Sequence, residues 1–294
     1  MTTTGATVRS TIASLAPLSV ATTRAYGPTA LGGDLRRFVE LTLTLARTEF
    51  KLRYFGSALG YAWSLMRPLL FFGVIYVVFT KIFHFGNGVP HYGVYLLTSI
   101  VLWTYFAEAT SGCVQCLVQR EALLRKVRFP RMVVPLSVSL TSLFNLGMNF
   151  IAVIVFALAN GLTPSLRWLE LIPIVIGFVV IATGIGMLLS ALYVSYRDVA
   201  PIWEVLAQLL FYASPVMYVA RAYHGVEHLA LLSPFGMLLT QMGHALIDPV
   251  KLPSAATAAG GGTRLIAPVG VILGMFALGW WVFTREAPRV AENL

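Results

Sequence analysis

The chain has 294 residues, of which 57% are hydrophobic and only 11% charged, and its mean hydropathy is +0.78. Soluble domains carry roughly 25% charged residues, so this balance excludes an ordinary water-soluble enzyme or binding module. The net charge of +9 does not require nucleic acid, because membrane proteins gather Lys and Arg on the cytoplasmic side, and two cysteines are too few for a disulfide-built scaffold.

Residues 1–33 are rich in Thr, Ser and Ala, and their mildly apolar stretch Ile12 to Val20 is interrupted by Pro17. That is too weak for the core of a signal peptide and predicts a disordered cytoplasmic tail. Over residues 34–54, Leu35, Phe38, Val39, Leu45, Phe50 and Leu52 alternate with Arg36, Arg37, Arg47, Lys51 and Arg53 at helical period. The pattern predicts an amphipathic helix lying in the membrane interface; a solvated helix packed on a neighbour is the alternative.

Six strongly apolar segments follow, at about 64–85, 92–118, 133–159, 170–193, 201–220 and 265–283. Each has about the length needed to cross a hydrocarbon core of roughly 30 Å as a helix. With Arg67 counted at the cytoplasmic end of the first span and Lys81 at its external end, sixteen of the 21 Lys and Arg fall in alternate compartments that include both termini, so the positive-inside bias puts both ends of the chain in the cytoplasm. The longest external gap, 221–264, holds the apolar piece Leu229 to Ala245, broken by Ser233-Pro234 and too short to span. Re-entrant or interfacial helices fit it, with Ala259 to Gly262 as a connector and 286–294 as a cytoplasmic tail. The expected fold class is an all-α membrane protein with six transmembrane helices, an N-terminal interface helix and short external re-entrant helices before the last span.

Several chemistries are missing. A P-loop ends in Gly-Lys-Ser/Thr, but Lys51, Lys81, Lys126 and Lys251 follow Phe50, Thr80, Arg125 and Val250, so ATP-driven work needs a partner subunit. An intramembrane serine protease would need a Gly-x-Ser-Gly turn, and the nearest string is Ala109-Thr110-Ser111-Gly112. Cys113 and Cys116 form a C-x-x-C without a second pair and read as buried packing residues. His224 and His228, with Glu227 beside them, lack a third metal ligand, and no metal site is expected. Gly270 and Gly274 permit close helix approach in the last span, and Asn145 and Asn149 share a helix face suited to interhelical hydrogen bonds.

Three features rise above composition. Glu108 lies inside the second span, where a carboxylate needs a partner, a polar cavity or a wet interface. The connection Gln119 to Arg131 offers a turn or two of helix with Leu123, Leu124 and Val127 among Arg125, Lys126 and Arg128, before Phe129-Pro130. It serves either as a set of topology anchors or as a docking element. Tyr196-Arg197-Asp198 caps the fourth span.

Taken in order, these strings resemble a known family. Lys51 to Gly60 leading into Trp63 and Arg67-Pro68, Phe106-Ala107-Glu108, the linker Leu123 to Arg131, Arg197-Asp198 and Ser214-Pro215 together resemble the ABC-2-type transporter permeases that export polysaccharides such as O-antigen, teichoic acid or galactan. The resemblance covers about residues 34–285, the whole membrane domain, and does not include the N-terminal tail.

The resemblance implies a permease in the bacterial plasma (inner) membrane that forms a homodimer and associates with two copies of an ABC-type ATPase, which would bind ATP and Mg. This chain would bind no cofactor of its own and is not expected to be an enzyme. The linker 121–131 would be the coupling helix docked on that ATPase, through Glu121, Leu123, Leu124, Arg125, Lys126, Val127, Arg128 and Phe129. Residues from Gly56 to Trp63 would form a gate. A polyprenyl-diphosphate-linked polysaccharide needs a cationic entrance, for which Arg53, Tyr54, Trp63 and Arg67 are candidates; the two arginines either hold diphosphate or reach to lipid phosphates. Phe72, Tyr76 and Phe79, spaced i, i+4, i+7, with Glu108, Phe211, Tyr212 and Tyr218, are candidates to line the channel, or else aromatic belt and packing residues. The Ala- and Arg-rich tail suggests a high-GC source, for which the resemblance implies lipid-linked cell-wall galactan or a similar polymer as cargo. Competing readings are an ABC-2 exporter of a small lipid or drug, an ion-coupled secondary transporter, and a membrane-bound transferase. The first usually carries a large external domain, the second more intramembrane charge and inverted repeats, the third a paired acid and base.

Overall fold

Backbone amides in hydrocarbon must be satisfied within their own segment, and helices do this for apolar runs of such length. In the computed structural model, which describes residues 35–54, 60–82, 89–122, 130–218, 231–247 and 251–286, the regular elements are all helical. The chain is thus an all-α membrane protein.

Helix α1 is Leu35–Tyr54. Helix α2, Gly60–Val77, continues into a π-helical turn, Val78–Ile82. Helix α3, Tyr92–Val114, breaks at Gln115 (φ −99°, ψ 1°) and adds one turn, Cys116–Gln119. Helix α4 is Val133–Ala159. After a 3₁₀ turn at Leu166–Glu170 comes α5, Leu171–Ser195, then α6, Val199–Ala213. Helix α7, Pro234–Leu246, and a short turn at Ala255–Ala258 precede α8, Ile266–Glu286.

Among the described residues, four segments are long and apolar enough to cross a membrane: Ala62–Ile82, Val133–Ala159, Leu166–Ser195 and Gly262–Glu286. Helix α3 differs for a physical reason. It packs against α2, α4, α5 and α6 and is buried along most of its length, so its Tyr, Thr, Ser and Glu108 meet protein instead of lipid. Helix α6 has 15 residues, roughly 22 Å, and stops well before the expected 220. Pro215 explains the stop, since the residue before a proline is pushed out of the helical region, and Ser214 is extended (ψ 147°). The carbonyls freed by this break are taken up by α3. Tyr95 donates its hydroxyl to the Pro215 carbonyl at 2.7 Å, and Tyr92 donates to that of Met217.

Helices α5 and α8 cross at Gly184 and Gly279. A Cβ on Gly279 would run into the Gly184 carbonyl, and one on Gly184 would collide with the backbone of Phe276, so only glycine allows this approach. Gly270 and Gly274, the pair singled out in the sequence, have open space where a Cβ would stand and do not form the crossing within the protomer. Cys113 and Cys116 are buried and unbridged. Helix α7 seats against α5, with Gln241 donating to Glu170 Oε2 at 2.6 Å while its own Oε1 accepts the Ala255 N–H at 2.9 Å.

Candidate functional site at the basic end of the bundle

Helix α1 buries Phe38, Thr42 and Ala46, spaced i, i+4, i+8, against the bundle. The Thr42 hydroxyl turns back to the Phe38 carbonyl at 2.8 Å, and Thr141 of α4 donates across to the Ala46 carbonyl at 3.3 Å. This stripe fixes which charges of α1 face inward. Glu49 and Arg53, one turn apart, point to α3 and the turn that extends it.

Both find partners of opposite charge. Arg53 pairs with Glu108, and Glu49 pairs with Arg120. Glu108 also accepts from Asn145 Nδ2 at 2.7 Å, and Asn145 Oδ1 accepts the Tyr54 hydroxyl. The four side chains Arg53, Glu108, Asn145 and Tyr54 close a chain of polar contacts across α1, α3 and α4. Arg120 further donates to Ser137 Oγ at 3.1 Å, near the start of α4. The carboxylate of Glu108, whose side chain is 26% exposed, is therefore compensated where it enters the apolar bundle.

Of the residues expected at a cationic entrance, Arg53 and Tyr54 belong to this network. Trp63, 57% exposed, and Arg67, also exposed, lie one turn apart on α2 and make no hydrogen bond to it among the described residues. Arg67 makes no hydrogen bond or ion pair among the described residues. Of the expected coupling helix, Glu121 follows the turn that extends α3 and is half-buried, while Leu123, Leu124, Arg125, Lys126, Val127, Arg128 and Phe129 lie outside the described residues, as do His224 and His228. Arg131 opens the approach to α4, and its partial burial lowers its pKa from the usual arginine value.

The aromatic residues expected along a channel do not form one surface within the protomer. Phe72 is buried, edge-on to Phe156 of α4 with centroids 5.4 Å apart. Tyr76 lies 5.4 Å from Phe72 and its ring covers Gly93 of α3. Phe79 falls in the π-helical turn and packs, partly buried, against the same core cluster as Phe72. Phe211 instead groups with Phe71 and Trp103, at 6.0 and 5.5 Å, while Tyr212 is 59% exposed and its carbonyl accepts the Tyr218 hydroxyl at 2.9 Å. Phe71, Trp103 and the Glu49–Arg120 pair escaped the sequence reading. For Glu49 the available signal was its place one turn before Arg53 on the same helix.

Comparison with known proteins agrees with this architecture. Residues 40–243 match the family described as ABC-2 type transporter. Among curated relatives, an O-antigen export system permease protein RfbA of Klebsiella pneumoniae is 30% identical over 190 residues, covering 63% of this chain and 71% of that protein. A protein of the same description from Myxococcus xanthus is 29% identical over 265 residues, 89% of this chain and 98% of its own length.

Proposed function

The chain belongs to the ABC-2 type transporter family, and from that premise we propose that it is the membrane permease of an ATP-driven exporter carrying a lipid-linked polysaccharide from the cytoplasm across the bacterial plasma membrane. The observation that carries the cargo class is similarity along nearly the whole length of an O-antigen export permease. Cell-wall galactan or an O-antigen-like glycan on a polyprenyl diphosphate would be the substrate, and both termini would be cytoplasmic.

The geometry supports a route for force. In this reading residues 121–131 dock on a separate ATPase, two copies of which serve a homodimer of the permease. Arg120 immediately precedes that linker and holds Glu49, and Glu108 holds Arg53 on the same α1. A push on the linker therefore reaches α1 through two charged contacts, and α1 is followed in the chain by α2 with its exposed Trp63 and Arg67. With Arg53 engaged by Glu108, Arg67 is the better placed cation for a diphosphate, and Trp63 offers a ring face to a sugar.

Co-purification with the ATPase tests the docking. Arg125→Glu with Lys126→Glu should abolish ATPase association while leaving membrane insertion intact; unchanged association would remove the linker from this role. Arg67→Glu should accumulate lipid-linked glycan on the cytoplasmic side, and normal export would demote Arg67 to a lipid anchor.

A further inference from the structure

An apolar groove of about 270 Å³ opens between α1, α4 and α5. Val39 and Leu43 form one wall, Leu136, Leu140 and Leu143 a second, and Val179 of α5 closes it. Of the hydroxyls that line it, that of Thr42 is committed to the Phe38 carbonyl at 2.8 Å and Ser139 Oγ sits 3.9 Å from the Cys113 sulfur, which leaves Thr183 alone, among the described residues, to meet a polar guest. The volume lies below the roughly 300–1,000 Å³ of sites for drug-sized molecules, so a folded peptide lacks the room, and a sugar lacks the hydrogen bonds it would need. A run of methylenes has both the shape and the polarity.

The rim supplies a charge. Val39, Leu43 and Arg47 follow at i, i+4, i+8 and share one stripe of α1. Helical side chains lean toward the N-terminus, so Arg47 covers the turn that carries Leu43. Arg47 is exposed and makes no hydrogen bond or ion pair among the described residues, whereas Arg53 and Arg120 are held by acids and Arg36 pairs with Glu40 at 3.1 Å. We propose that the groove binds one acyl chain of an anionic phospholipid whose phosphate is held by Arg47. Arginine suits this role because its fork of donors matches phosphate oxygens. The site is separate from any entrance on α2 and does not depend on which cargo is exported.

The test uses the full-length protein reconstituted in nanodiscs of phosphatidylcholine containing a minor fraction of phosphatidylglycerol, with retained lipid identified by native mass spectrometry. The wild type should retain phosphatidylglycerol in preference to phosphatidylcholine, and Arg47→Gln should reduce that preference about five-fold. Leu140→Trp should fill the groove and release both lipids. Because that variant could misfold, a photo-crosslinking residue placed at Leu43 in the otherwise unchanged chain gives a second readout, expected as a phospholipid adduct. Equal retention of the two lipids by the wild type, an undiminished preference in Arg47→Gln, or an adduct to a peptide, including one from residues 1–34 of the same chain, would overturn the proposal.

Discussion

The two ends of the helix bundle are fastened by different chemistry. At the basic end, α1 is tied to α3 and its following turn by Arg53–Glu108 and Glu49–Arg120, long side chains with part of their surface exposed. At the opposite end, Tyr92 and Tyr95 hold the broken backbone after α6 through neutral hydrogen bonds in a dry interior. Half-exposed ion pairs have modest strength, are screened by salt and can be exchanged for other partners. Buried neutral bonds to otherwise orphaned carbonyls are costly to break and indifferent to salt. The first arrangement suits a joint that transmits motion, and the second suits a fixed frame.

The sharpest way to break this contrast is at the frame. Tyr92→Phe together with Tyr95→Phe leaves two carbonyls without their donors and should destabilise the protein by about 1–3 kcal/mol, seen as a lower thermal midpoint in detergent that does not change with ionic strength. Loss of stability confined to low salt would show that the frame was misidentified. Next in size, Glu108→Gln should cost about 1 kcal/mol, because the pair is partly exposed, and should reduce the salt dependence of the wild-type midpoint, leaving the part due to Glu49–Arg120. Arg53→Gln combined with Glu108→Gln should cost less than the two single changes added together; additive costs would mean that the pair does not couple. The smallest effect on stability is expected at Arg67→Gln, within about 0.5 kcal/mol, with export reduced. If its midpoint falls as far as that of Glu108→Gln, Arg67 is a structural residue.

Much of this architecture was legible in the sequence. Runs of apolar residues fix where helices lie, because length and hydropathy are local properties; Leu35–Tyr54 and Val133–Ala159 occupy segments that the periodicity and apolarity single out. The end of α6 was not legible, since apolar residues continue through Tyr218 and hide the effect of Pro215. Glu108 plainly needed a partner, but its identity depends on how α1 folds back on α3, with Glu108 55 positions after Arg53 in the chain. The aromatic stripe at Phe72 and Tyr76 shows the same limit: spacing puts residues on one face, and only packing tells whether that face meets Phe156 or open space. The glycines show it again, because Gly274 and Gly279 are alike in composition and differ only in which side of α8 they occupy.

The Gly184–Gly279 crossing carries a further consequence. Contact there is backbone to backbone, so no rotamers are frozen when it forms, and side-chain entropy does not oppose it. It carries no titratable group and no ion pair, so neither pH nor salt alters its strength, and dispersion between closely apposed main chains supplies the attraction. Helices α5 and α8 thus provide a fixed axis against which a movement of α1 and α2 can be measured, and any methyl group added at that axis would shift the reference itself.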